Sequence, residues 1–149
     1  MPWSHAKRQR LAAEKRELER YFPGCVEWID PTSDTKVQVR MKTNNNNPYT
    51  LRVYIGDFPN SVPVMVVVSS PKPMPDWNGS YTNHTLRRTD GYLTICHHHN
   101  SQWTDRLSLY EVFMKGRIWL EAYEGHLRTG QPMNYFLREM ASMPNCQFM

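Results

Sequence analysis

The sequence predicts an α+β fold, and three observations carry that prediction. A charged amphipathic segment opens the chain, alternating apolar and polar residues fill its middle, and helical periodicity returns in its last third. Strands and helices are thus segregated along the chain, without the βαβ alternation of a dinucleotide-binding fold. One domain spanning residues 1–149 is expected, with enough chain for its own core. At 40% apolar and 12% aromatic residues, the composition argues against disorder throughout.

Residues from about 5 to 22 read as the first helix. Leu11, Lys15, Leu18 and Phe22 share one stripe, the lysine laying its stem along it, and charged residues fill the other faces. Ser4 is placed to cap its start, and Pro23-Gly24 stops it.

Four strands are expected next. Cys25 to Ile29 is short. Lys36 to Lys42 alternates strictly, with Val37, Val39 and Met41 on one face, and Thr50 to Ile55 repeats the pattern with Leu51, Val53 and Ile55. Such alternation belongs to antiparallel strands with one wet face. The tract Asn44-Asn45-Asn46-Asn47-Pro48 reads as a loose hairpin loop between them. Pro63 to Ser69 is uniformly apolar and suits a central strand.

Pro71, Pro73 and Pro75 lack amide donors and take the chain out of the sheet as extended backbone. Asp76 to Asp90 has little periodicity and reads as a long polar loop. The final third is helical. Thr104-Asp105 or Ser108 is placed to cap a segment from Leu109, whose stripe is Leu109, Val112, Phe113, Gly116, Trp119, Leu120 and Tyr123. Gly130-Gln131-Pro132 breaks it, and Asn134 to Met140 resumes with Phe136, Leu137 and Met140 on one side.

Charge and cysteine usage narrow the function. Lys plus Arg exceed Asp plus Glu by 18 to 14, a formal charge of +4. The densest basic group, Lys7, Arg8, Arg10, Lys15, Arg16 and Arg20, is interleaved with Glu14, Glu17 and Glu19. Mixed signs at helical spacing describe a solvated helix face better than a nucleic-acid surface, so a basic nucleic-acid-binding domain is the weakest alternative. No apolar stretch reaches bilayer length, and the N-terminus has no apolar core segment, so neither membrane span nor signal peptide is expected. Three cysteines at 25, 96 and 146 give no CxxC pair and no disulfide framework, which fits a reducing cytoplasm. Cys25 reads as buried, and Cys146 as an exposed tail thiol.

The run Gly91-Tyr92-Leu93-Thr94-Ile95-Cys96, followed by His97-His98-His99-Asn100, carries the chemistry. A cysteine leaving a strand into a polar turn is placed to react, whereas one centred in a strand packs; position alone leaves both open. The three histidines alternate sides if extended, so at most two face the cysteine, and one turned inward reads first as a hydrogen-bonded core residue. A zinc site from Cys96, His84 and one of the triplet is disfavoured, because adjacent ligands rarely converge tetrahedrally. No metal and no cofactor are expected.

Together with Gln102-Trp103-Thr104, Leu107-Ser108-Leu109-Tyr110-Glu111-Val112 and the proline-rich exit, this run resembles the ubiquitin-conjugating enzymes over roughly residues 5 to 140. The resemblance implies a roll with an N-terminal helix, a four-stranded antiparallel meander, an irregular segment bearing a catalytic cysteine, and C-terminal helices. Ile118-Trp119-Leu120-Glu121-Ala122-Tyr123-Glu124 and Thr129-Gly130 are similar to the stand-alone bacterial branch found in CBASS antiphage defence operons. That branch implies a cGAS-like nucleotidyltransferase as the protein partner, its C-terminus conjugated through a thioester on Cys96.

One departure stands out. The eukaryotic members carry His-Pro-Asn shortly before the cysteine; here Asn83-His84-Thr85 is nearest, and position 88 is Arg88. The resemblance assigns His84 to the motif's histidine, a structural role. Oxyanion support then falls to amides after Cys96, to Asn100 or to the 83–90 loop, or else the chemistry stops at a thioester. The candidate catalytic residues are therefore Cys96, His84, Asn100 and His97, with His99 behind them. Asp105 is a candidate for orienting an incoming amine, its simpler reading being a helix cap. A catalytically inactive conjugating-like scaffold that binds the same partner is the main alternative.

Overall fold

The structure, a computed structural model, describes residues 3–31 and 34–139. Met140 and Cys146, both singled out above, lie outside the described residues. Helix α1 (His5–Tyr21) precedes strands β1 (Val26–Ile29), β2 (Lys36–Lys42), β3 (Pro48–Tyr54), β4 (Val64–Ser69), β5 (Thr85–Thr89) and β6 (Tyr92–Ile95). A 3₁₀ turn, Asn100–Gln102, leads towards helices α2 (Leu109–Thr129) and α3 (Met133–Glu139). The α+β class and this order of N-terminal helix, antiparallel sheet and C-terminal helices match the sequence reading.

The sheet has six strands rather than four, in the order β1-β2-β3-β4-β6-β5, with every pairing antiparallel. The first four form the expected meander. The additional pair is a hairpin whose turn, Asp90-Gly91, has φ of 53° and 80°, and whose outer strand is Thr85-Leu86-Arg87-Arg88-Thr89. Both turn residues in the left-handed region suit a tight hairpin. Arginines on an outermost strand guard it against further pairing, and they also hide it from an apolar-alternation test. Part of the expected 76–90 loop is therefore sheet.

Burial follows the alternation. Val37, Val39 and Met41 of β2 and Tyr49, Leu51 and Val53 of β3 face the core, while Met65, Val66 and Val67 bury both faces of β4. Helix α2 supplies the other layer through the predicted stripe from Leu109 to Tyr123, all of it buried. Gly116 lets the helix approach the sheet closely, since a Cβ there would lie 2.5 Å from Met65 Sδ and 2.8 Å from Leu51 Cδ1. Ser108 caps α2 in a full capping box with Glu111, so Asp105 is not the cap. Gly130, at φ 79°, ends the helix.

Two details of the sequence reading change. On α1 the buried stripe is Leu11, Glu14 and Leu18, while Lys15 is exposed. The glutamate takes the inward position because its carboxylate has two partners there: Arg10 Nε at 2.8 Å and the Leu109 amide at 2.7 Å. The asparagine loop is not loose. Asn45 and Asn47 donate to Glu124 of α2, the Asn44 amide donates to Glu121, and Arg117 donates to Asn44 Oδ1.

Candidate functional site

Strand β6 runs between β4 and β5, so the chain leaves the sheet interior at Cys96. In β5–β6 Thr85 pairs with Ile95, and in β4–β6 Met65 pairs with Ile95. Just beyond the ladder on the β5 side, the Cys96 amide donates to the His84 carbonyl at 2.9 Å, while the His84 amide turns to the Tyr81 carbonyl at 3.3 Å. The histidine-bearing segment and the cysteine turn, twelve residues apart in sequence, are thereby held against each other.

Cys96 is only 1% exposed and is disulfide-bonded, whereas Cys25 is a free, half-buried thiol. A disulfide covers the sulfur it joins, so this burial describes the oxidised form.

The histidine triplet is spoken for. His97 Nε2 donates to the Pro63 carbonyl at 2.7 Å, leaving His97 Nδ1 to accept from His98 Nδ1–H at 2.8 Å. Burial pushes the His97 imidazole down to about 3 and that of His98 to about 4, and Lys115 of α2 adds to both shifts. Both rings are therefore neutral near pH 7. Trp103 packs edge-on against the two rings and donates Nε1–H to the Pro59 carbonyl. His99 accepts from the Ser101 amide and so caps the 3₁₀ turn. His97 is thus buried with both ring nitrogens hydrogen-bonded.

His84 differs from these. It is 2% exposed, at φ 55°, and its Nε2 lies 3.2 Å from Asn134 Oδ1 of α3. Its Nδ1 is buried without a hydrogen-bond partner. Burial lowers its pKa, and the bond to Asn134 partly opposes that shift. Asn100 is exposed at the start of the 3₁₀ turn. Asp105 is also exposed, and its carbonyl accepts from Arg10 Nη1 at 2.7 Å. The fold thus brings His84 and Cys96 together, while Asn100 and Asp105 lie on the exposed stretch beyond.

Asn134 carried no signal in the sequence reading, where it marked only the start of a helix. Its place depends on α3 folding back: Met133 and Leu137 are buried, and the Phe136 ring lies against Gly125 of α2. The basic face of α1 is likewise partly used within the chain. Lys7 donates to the Gly56 carbonyl, and Arg10 to the carbonyls of Asp105 and Leu107. Among the described residues, no group of three or more His, Cys, Asp or Glu side chains is arranged to hold a metal ion, and no helix is long and apolar enough to cross a membrane.

Comparison of the chain with protein-family models, with curated proteins and with solved structures finds no match.

Proposed function

We propose that this chain is a ubiquitin-conjugating-like cysteine acyltransferase whose reduced Cys96 carries the C-terminus of a protein partner as a thioester. The observation that supports this most directly is the 2.9 Å bond from the Cys96 amide to the His84 carbonyl. It joins the two segments that the resemblance pairs, at the end of a strand fixed on both sides. A dithiol reductant must first open the disulfide, each sulfur gaining one electron and one proton. The Cys96 thiolate then attacks the activated C-terminal carbonyl carbon and expels its leaving group, and an amine or thiol opens the thioester. Following the resemblance, the partner is a cGAS-like nucleotidyltransferase of a cytoplasmic antiphage defence system.

A second reading is favoured by a specific observation. A cysteine that is buried and disulfide-bonded suits a catalytically inactive scaffold that binds the same partner. The experiment that separates the two is intact mass spectrometry of pre-reduced wild type and Cys96→Ser, mixed with the operon's nucleotidyltransferase after reductant removal. Acyl transfer gives a thioester-mass adduct on wild type, and an absent or hydroxylamine-resistant adduct on Cys96→Ser. Binding by both forms with no adduct on either would establish the scaffold instead.

A further inference from the structure

We propose that Asn134 is the positioning residue of a Cys96–His84–Asn134 proton relay in which His84 Nδ1 accepts the thiol proton of reduced Cys96. The inference rests on the acyl-transfer reading above, and it goes beyond the structural role the resemblance gives His84.

Proton bookkeeping around the cysteine leads to it. His97 Nδ1 is engaged by His98, and His97 Nε2 by Pro63. His99 Nδ1 is engaged by Ser101. Asn134 Oδ1 is an acceptor, so His84 Nε2 must be the protonated nitrogen, and Nδ1 is left with a bare lone pair. A buried acceptor with no partner is costly and rare. It sits on the residue whose carbonyl accepts the Cys96 amide at 2.9 Å. A bond of that length sets the two backbones as close as neighbouring strands, about 4.8 Å apart, a gap that an imidazole and a thiol can span.

The relay follows the logic of a nucleophile, a base and a group that orients the base. The thiol proton passes to His84 Nδ1, giving a thiolate and an imidazolium, while Nε2–H stays on Asn134. The thiolate forms a C–S bond to the carbonyl of an incoming protein thioester, whose own C–S bond breaks. The departing thiolate takes the proton back from Nδ1, so charge and protons balance. Other ionisable groups on the neighbouring elements do not mimic this. His97 and His98 stay neutral above about pH 4, and Arg87 and Arg88 of β5 and Lys115 of α2 carry guanidinium and amine groups rather than imidazoles.

The test uses iodoacetamide on the pre-reduced chain, with the rate at Cys96 read peptide by peptide from pH 5 to 9. Wild type should show a rate limb in the imidazole range. Asn134→Ala should alkylate about tenfold more slowly at pH 7, its limb moving towards the ordinary thiol value near 8.5. Asn134→Asp keeps an acceptor against Nε2 and adds a charge that favours the imidazolium, so its limb should lie at or below the wild-type pH and not move up as in Asn134→Ala. Nitrogen-15 shifts of His84 in reduced wild type should show Nε2 protonated and Nδ1 bare, a readout that needs no variant to fold. A proton on Nδ1, or one pH profile shared by wild type and Asn134→Ala, would overturn the relay. The two proposals fail separately: an unchanged alkylation profile with a normal adduct removes the relay alone. A shifted profile with no adduct upholds the relay and removes acyl transfer.

Discussion

The carboxylate of Glu14, on the buried face of α1, accepts the backbone amide of Leu109, the first residue of α2, at 2.7 Å. An N-terminal amide has no partner within its own helix, so a side chain ninety-five positions away completes the cap. Arg10 holds the same carboxylate and also the carbonyls of Asp105 and Leu107. One helix thus fixes where the segment after the cysteine turn enters α2.

Replacing that carboxylate should therefore cost far more than its place on a charged helix suggests. Glu14→Ala is expected to lower stability by about 2–3 kcal/mol, because it leaves the buried Leu109 amide unpaired and takes from Arg10 its carboxylate partner. Glu19→Ala, on the exposed face, should stay within about 0.5 kcal/mol. Urea unfolding of both variants checks this, and equal midpoints would refute it.

Glu124 plays a similar part for the asparagine loop. Burial would raise its pKa, but donors from Asn45, Asn47, Thr43 and Tyr49 more than offset this and hold it low. Glu124→Gln should destabilise by about 2–4 kcal/mol, since an amide cannot accept from all four. Hydrogen exchange should also quicken at the amides of Asn46 and Asn47, which close the turn onto Thr43. Unchanged exchange there would show that the loop holds itself.

Acid should unfold the protein in two overlapping steps. His97, His98 and His84 have folded pKa values below their ordinary value, so below about pH 6.5 the unfolded chain binds more protons than the folded one. Stability therefore falls as pH drops from about 6.5 towards 4. The carboxyl of Glu124, also lowered, adds its loss below its ordinary value of 4.5. His98→Asn should flatten the upper part of the slope and leave the lower part. The same slope above pH 4.5 in both proteins would count against this assignment.

Gly116 should tolerate alanine poorly. The added Cβ meets Met65 and Leu51, at about 1–3 kcal/mol of overpacking, against about 1 kcal/mol gained in helix propensity. Gly116→Ala is thus expected to lower the melting temperature by a few degrees, and Met65→Ala should relieve most of that penalty in a double-mutant cycle. Simple additivity of the two would mean the sheet, not Met65, absorbs the methyl group.

What was legible in the sequence is what local periodicity encodes. Val37-Val39-Met41 and the stripe from Leu109 to Tyr123 repeat at 2.0 and 3.6 residues, so strand, helix and buried face all followed from spacing alone. Strand β5 did not, because Arg87 and Arg88 make an edge strand look like loop, and the pairing that defines it lies in β6.

By itself the sequence determined the fold class, most element boundaries, the core stripes and the placing of a cysteine at a strand end. The tertiary structure decided the rest: the six-strand order, the inward turn of Glu14, the engagement of the histidine triplet, and the meeting of His84 with Asn134. The division has one cause. Spacing reports which face of an element is apolar, but the partner of a buried polar atom is chosen only when distant segments close around it. That choice decides where Glu14, His97 and His84 point and which partners they hold.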